Sequence, residues 1–290
     1  MKINNRWLFL FLTPYCVGAL CFILFPILYS LYVSFTNWSI YGPGNWIGLK
    51  NIFRLFGDKV FILSLKNTAY YVVLVVPLEI GLSIVIACLL NQNKLKGVNF
   101  FKAAYLMPFV LSLISVGLVW SWLYSPKYGF ISQAFELFGY NSPPWLTDPS
   151  WAMPSIVYTT VWRNAGYYII IFLGGLQSIP VELYESVKID GAGPIKTFFS
   201  ITFPLLSSTI FTSLVMATIW AWQVFDLTYI MTKGGPARAT LSTGLHIYNT
   251  AFTNAELGVA SAQGWLLLII ILVFTGLFFL FQNKWVYYEN

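Results

Sequence analysis

The sequence predicts an all-α, polytopic membrane protein with six transmembrane helices, and three observations carry that prediction. Hydrophobic residues make up 58% of the 290 positions, charged residues only 9%, and the mean hydropathy is +0.72. A soluble domain is near a quarter charged, so this chain lacks the charge for a water-facing surface. The apolar residues gather in six stretches, each about long enough to cross a hydrocarbon core of about 30 Å. These stretches are continuous rather than short and alternating, which argues against a transmembrane barrel. A net charge of +6 then reports positive cytoplasmic loops and contact with membrane lipid, not nucleic acid.

The stretches run over about 8–35, 68–90, 103–124, 154–177, 204–231 and 262–281. Lys2 and Arg6 precede the first, as in a signal peptide, but the apolar run from Trp7 to about Phe35 exceeds the roughly 7–15 residues of a signal core. Leu20 precedes Cys21 where a lipoprotein cleavage site needs a small residue, so the segment reads as a retained span. Pro14 and Pro26 in the first stretch, Pro77 in the second and Pro108 in the third are tolerated in a membrane bundle, where neighbours re-satisfy freed backbone groups. Pro143, Pro144 and Pro149 mark turns between the third and fourth stretches, and Trp38, Trp46, Trp145 and Trp151 stand near span ends as an aromatic belt. No loop exceeds about 30 residues, so residues 1–290 read as a single transmembrane domain.

An even number of spans puts both termini on one side. Arg6, Lys94, Lys96, Lys102 and Lys284 sit beside span ends on that side, within short segments dense in positive charge, so it reads as the cytoplasm. Cys16, Cys21 and Cys88 lie inside apolar runs and read as buried packing residues, and His246 stands alone in a polar loop. No metal site is expected.

The connection between the fourth and fifth spans, about 178–203, is unlike the rest. Pro180 suits a first helical turn, Glu182 and Glu185 its positive end, and Gly191 its C-terminal stop. Roughly ten helical residues reach only about 15 Å, half a bilayer, so the segment reads as a short helix on the cytoplasmic surface.

That segment resembles the signature cytoplasmic loop of ATP-binding cassette importer permeases, written E-A-A, three residues, G, then about nine residues, I, x, L-P. Here it reads Glu185-Ser186-Val187, Lys188-Ile189-Asp190, Gly191, then Ile201-Thr202-Phe203-Pro204. The run Ile179 to Leu206 is similar to the sugar-permease subfamily, with Ser186 and Val187 replacing the two alanines and Phe203 the usual leucine. Leu24-Phe25-Pro26 to Trp38, Trp46 to Asn51, and Gln223-Val224-Phe225-Asp226 through Pro236 resemble other family segments in the same order.

The resemblance implies a permease subunit that carries a sugar, oligosaccharide or polyol into the cell by alternating access. It implies that the 178–203 loop is a coupling helix docking on a cytoplasmic ATPase, with Glu182, Glu185, Ser186, Asp190 and Gly191 as coupling residues. The implied partners are a second related permease, two ATP-binding subunits that hold ATP and magnesium, and an external solute-binding protein. The implied place is a bacterial cytoplasmic membrane, and the implied catalytic role is none. The chain has no G-x-x-x-x-G-K-[ST] loop of its own for phosphates, and Gly234-Gly235-Pro236 reads as a turn.

Three ionisable groups fall at membrane depth, Glu79, Arg163 and Asp226, and each is a functional suspect. Arg163 is placed to snorkel or to pair with Asp226. A sugar path needs stacking faces and short hydrogen bonds. Trp222, Gln223, Asp226 and Tyr229 recur at helical spacing on the fifth span, and Arg163, Asn164 and Tyr167 lie on the fourth. Sugar permeases that this chain resembles hold ligand in these two regions, so these seven are the candidate substrate residues. The rival reading is a proton-coupled secondary transporter that uses Glu79 and Asp226 as a relay. An intramembrane enzyme would need clustered catalytic groups, and the polar residues here are scattered.

Overall fold

The structure, a computed structural model, describes residues 5–92 and 97–287, with side chains from Leu10 onward. Lys94, Lys96 and the Arg6 side chain, which enter the charge argument, and Lys2, named beside the first stretch, lie outside that description. Among the described residues every regular element is a helix, and strand-like pairing is limited to two isolated bridges, Thr36 with Trp46 and Ser39 with Gly42.

The chain opens with α1 (Asn5–Ala19), which passes through a π-helical turn, Leu20–Leu24, into α2 (Phe25–Ser34). Pro26 follows that turn. Its ring cannot donate to the carbonyl four residues back and crowds it, and the wider turn relieves the clash. Next come α3 (Lys50–Gly57) and α4 (Lys59–Leu90). The Asp58 carboxylate starts α4 by accepting from the N–H groups of Val60 and Phe61 at 2.8 and 3.2 Å. At 32 residues α4 is roughly 48 Å long, well beyond the hydrocarbon core, and begins ahead of the apolar stretch expected from 68.

The expected third span is two helices, α5 (Val98–Val110) and α6 (Leu113–Leu123), bent by 97°. Pro108 removes a rung near the end of α5, and Leu111 and Ser112 are extended. After α7 (Phe130–Leu137) comes α8 (Pro149–Gln177). Asp148 caps α8, accepting from the Ser150 N–H at 2.8 Å and from the Ser150 hydroxyl, and these bonds hold its carboxyl below the ordinary range.

α9 (Val181–Ile189) leaves α8 at 73°. α10 (Pro194–Thr197) runs through a second π turn, Phe198–Thr202, into α11 (Phe203–Trp222), again just ahead of a proline, Pro204. The fifth expected span does not continue to 231. α11 stops at Trp222, and α12 (Asp226–Thr232) begins after an irregular Gln223–Phe225 link. α13 (Thr243–Tyr248), a third π turn (Asn249–Thr253) and α14 (Leu257–Phe281) complete the order. Among the described residues four helices are long and apolar enough to cross a membrane, and up to six crossings result when each bent pair counts as one.

The chain divides into two compact units. The first comprises Met1–Ile62 and His246–Ile269. Within it Asn51 Nδ2 donates to the carbonyls of Ser34 and Thr36, both at 2.8 Å, which ends α2 without orphaned acceptors. Gly258 lies so close to the Thr36 carbonyl that a Cβ would overlap it. Arg54 and Glu256 form a bidentate pair at 3.0–3.1 Å on the surface. His246 is not a loop residue: it is 9% exposed in α13, with Nε2 3.9 Å from Asp58 Oδ2. Cys16 and Cys21 are exposed, not packed, because the first helix buries only 6% of its apolar window, while Cys88 is half-buried. An outward face carrying Phe11, Phe22 and Phe25 belongs in hydrocarbon or against another chain.

The second unit, Leu63–Leu245 with Ile270–Asn290, is organised around α8. Ile156, Tyr168, Ile169 and Phe172 of α8 are fully buried. Small residues let the helices meet at backbone distance. At Gly166 a Cβ would run into the Tyr105 carbonyl, so α5 crosses α8 in direct backbone contact there. Ser83 donates to the Ala165 carbonyl at 3.0 Å and Tyr71 to Thr160 Oγ1 at 2.9 Å, tying α4 to α8.

Candidate functional site

Two features of the second unit are built for work. The first is α9. None of its residues is buried, and Glu182, Glu185, Ser186, Asp190 and Gly191 are all solvent-facing. Glu182 sits in the first turn and Lys188 in the last, each favourable to the helix dipole. The stop at Gly191 has a specific geometry: Ala192 N–H donates to the Val187 carbonyl and Gly191 N–H to that of Lys188, both at 3.1 Å, with Gly191 at φ +73°. This Schellman arrangement requires a left-handed residue at that position, which is why glycine stands there. Ile189 is 86% exposed, and Ile195 and Phe199 beyond it are exposed too. Exposed aliphatic residues beside carboxylates on one short helix make a surface suited to a protein partner.

The N-terminal half of α9 is held. Ile179 just before it is buried in the core around α8, and Tyr184 Oη meets Thr202 Oγ1 at 3.3 Å.

The second feature is a cavity of about 350 Å³ where α11 gives way to α12. Arg163 and Asn164 of α8 and Gln223 and Asp226 of the link and α12 line it, joined by Trp220 and Thr160. Of the seven expected substrate residues, these four come together. Trp222, Tyr229 and Tyr167 do not line it. Trp222 is buried against Phe274, ring centroids 5.4 Å apart, because α11 ends there and the helical spacing that grouped it with Gln223 is broken. Tyr229 stacks on Phe225 at 5.5 Å, and Tyr167 on Phe109 at 4.8 Å.

Sequence reasoning missed Trp220 and Thr160, although both carried a signal. Trp220 lies one turn before the Gln223 cap, whose N–H donates to the Trp220 carbonyl at 3.1 Å, and Thr160, Arg163 and Asn164 share the i, i+3, i+4 spacing.

Arg163 neither snorkels nor closes on Asp226. Its Nη1 donates to Asn164 Oδ1 at 2.9 Å, and its Nη2 donates to the carbonyls of Phe109 and Leu111 at 3.1 and 3.4 Å, with the guanidinium 5.2 Å from the Phe109 ring centre. Those carbonyls are freed by the α5–α6 break. Asn164 Nδ2 in turn donates to Glu79 Oε1 at 2.8 Å. Glu79 is 1% exposed and stands outside the cavity lining. Nothing here forms a nucleophile, base or metal cluster, and among the described residues no group of three His, Cys, Asp or Glu could hold a metal.

Comparison with known proteins places these features in context. The family model described as "Binding-protein-dependent transport system inner membrane component" matches residues 4–286. The chain is 35% identical over 285 residues to the "Probable ABC transporter permease protein YesP" of Bacillus subtilis (strain 168), covering 97% of this chain and 91% of that protein. It is 35% identical to the "Lactose transport system permease protein LacF" of Rhizobium radiobacter, covering 86% and 83% respectively. Its fold matches a chain in the crystal structure of a bacterial alginate ABC transporter in complex with an alginate pentasaccharide-bound periplasmic protein. The TM-score is 0.86 at 23% identity, over 97% of this chain and 95% of that one.

Proposed function

Because the chain belongs to the family of binding-protein-dependent transport system inner membrane components, we propose that it moves a carbohydrate or polyol through the cavity at the α11–α12 junction, driven through α9. The chain is a multi-pass inner membrane permease subunit of an ATP-binding cassette importer. It is not the ATPase, and ATP is bound by a partner subunit.

The cavity carries the substrate reading. It offers neutral amides (Asn164 and Gln223) and an indole face (Trp220) beside one carboxylate, Asp226, which feels the Arg163 charge while the hydrogen bonds of Arg163 go to Asn164 and backbone carbonyls. Short hydrogen bonds plus a stacking face suit hydroxyl-rich rings. Its volume falls at the low end of small-molecule sites. The lactose permease and the alginate transporter support the same class.

α9 acts as the coupling helix, presenting Glu182, Glu185, Ser186, Asp190 and Gly191 to an ATPase subunit. The working complex pairs this chain with a second, related permease, two ATPase subunits and an external solute-binding protein. The termini and α9 face the cytoplasm, and the bundle opens alternately to the two sides. A proton-coupled mechanism would need Glu79 and Asp226 on one path, whereas Glu79 lies behind the wall that Asp226 helps to line.

Reconstitution tests the substrate class. With the ATPase, second permease and solute-binding protein present, a panel of sugars and polyols is offered to proteoliposomes. ATP-dependent accumulation of at least one member is expected. Accumulation of amino acids or metal ions alone would refute the class.

A further inference from the structure

Glu79 is a carboxyl group within a membrane helix, 1% exposed, whose purpose the transport path does not explain. We infer that Glu79 is a positioning residue: from behind the cavity wall it orients Asn164 and, through Asn164, the Arg163 side chain that pins the broken α5–α6 segment to α8. This rests on the reading of the cavity as the substrate path.

Glu79 Oε1 accepts from the Asn164 NH2 at 2.8 Å, so the amide turns its nitrogen toward Glu79. That choice leaves Oδ1 facing the other way, where it accepts from Arg163 Nη1 at 2.9 Å. The flipped amide would set oxygen against oxygen on one side and NH2 against guanidinium on the other. Glu79 thus selects one of two orientations that have the same shape. With Nη1 held, the planar guanidinium presents Nη2 to the Phe109 and Leu111 carbonyls. Within a membrane those acceptors have no water to turn to, so the arginine fills a need that the helix break creates. Phe109 and Leu113, on either side of the break, both line the cavity. The chain Glu79, Asn164, Arg163, α5–α6 therefore sets the position of that wall.

The test needs no sugar. In the assembled complex, with Cys16, Cys21 and Cys88 changed to serine, Leu113→Cys reports the wall through its rate of labelling by N-ethylmaleimide. Glu79→Met, which keeps length but accepts nothing, is expected to change that rate at least threefold. Glu79→Gln, which keeps an acceptor oxygen, should restore it to within twofold. Asn164→Leu should change it as Glu79→Met does, and the double substitution should add nothing further. Ala217→Cys, buried elsewhere on α11, should stay unlabelled throughout, separating repositioning from general loosening.

Wild-type labelling in Glu79→Met, or independent effects that multiply in the double variant, would overturn the inference. If Glu79→Met does not assemble, Asn164→Leu with intact Glu79 decides, since the wall must move when the chain is cut at its middle. Failure of the cavity reading shows differently: Gln223→Ala would leave uptake of every transported sugar unchanged while the labelling results still held.

Discussion

Tyr184 Oη stands 3.3 Å from Thr202 Oγ1, and this contact ties the solvent-facing α9 to the π turn from which α11 starts. α11 ends at Trp222, beside the cavity lined by Trp220 and Gln223. A displacement applied to α9 therefore has a short covalent and hydrogen-bonded route to the cavity wall. Ile179, just ahead of the helix, is buried against the α8 core. Held at these two points in its N-terminal half, α9 can pass movement to that core and to the π turn.

Tyr184→Ala should accordingly reduce the sugar moved per ATP hydrolysed by the complete complex. Tyr184→Phe, which loses only a hydroxyl contact of about 1 kcal/mol and keeps the ring, should lose much less. Equal transport per ATP in wild type and Tyr184→Ala would show that the contact carries no movement.

Gly191 is required by its backbone, at φ +73°, and not by crowding, since an added Cβ would meet nothing within 4 Å. Gly191→Ala should cost about 1 kcal/mol of local strain and leave an inserted, assembled complex. Gly191→Asp adds a charge next to Asp190 on the exposed face proposed to meet the ATPase. It should insert normally yet fail to transport. Full uptake by Gly191→Asp in reconstituted complex would remove the coupling role from this turn.

Gly166 is the opposite case. A Cβ there would strike the Tyr105 carbonyl, which is backbone and cannot rotate away. Gly166→Ala should force α5 from α8 and cost about 1–3 kcal/mol by overpacking. Thermal unfolding of the detergent-solubilised complex should shift downward by several degrees. An unchanged transition would mean that the two helices are not in backbone contact.

Gln223 and Trp222 are sequence neighbours with different surroundings. Gln223→Ala should change the rate or selectivity of uptake among sugars without affecting assembly, as should Asn164→Ala. Trp222→Ala, which empties the packing site against Phe274, should cost about 3–5 kcal/mol of stability and leave selectivity alone. Relative uptake rates over a sugar panel, with complex yield measured in parallel, separate the two. A selectivity change in Trp222→Ala alone would reverse the assignment.

Much of this was legible before any coordinates. The six apolar stretches, the short helix around Glu185 and its stop at Gly191 follow from hydropathy, dipole-matched charges and a glycine with one possible use. Asn164, Arg163, Gln223 and Asp226 also come together as their positions imply.

What hydropathy hides is interruption. The chain stays apolar through Leu111 and nearly so through Val224, so the breaks that shape the cavity leave no trace in a composition average. The helical phase carried across residue 223 therefore groups Trp222 with Gln223, whereas the structure packs Trp222 against Phe274. Partner choice is hidden for a related reason. Arg163 had a plausible carboxylate in Asp226, but the α5–α6 break released two carbonyls that serve it instead. His246 and the first-helix cysteines were misplaced because their surroundings depend on how much of each helix is covered, which local sequence does not report.

The proposed drive of this permease, through α9 by ATP hydrolysed on a partner subunit, separates it from a proton-coupled carrier. Uptake of a transported sugar into proteoliposomes holding the complete complex tests it most directly, with ATP or an inward proton gradient supplied separately. Uptake should require ATP and the solute-binding protein and be indifferent to the gradient. Accumulation driven by the proton gradient with no ATP present would contradict the account.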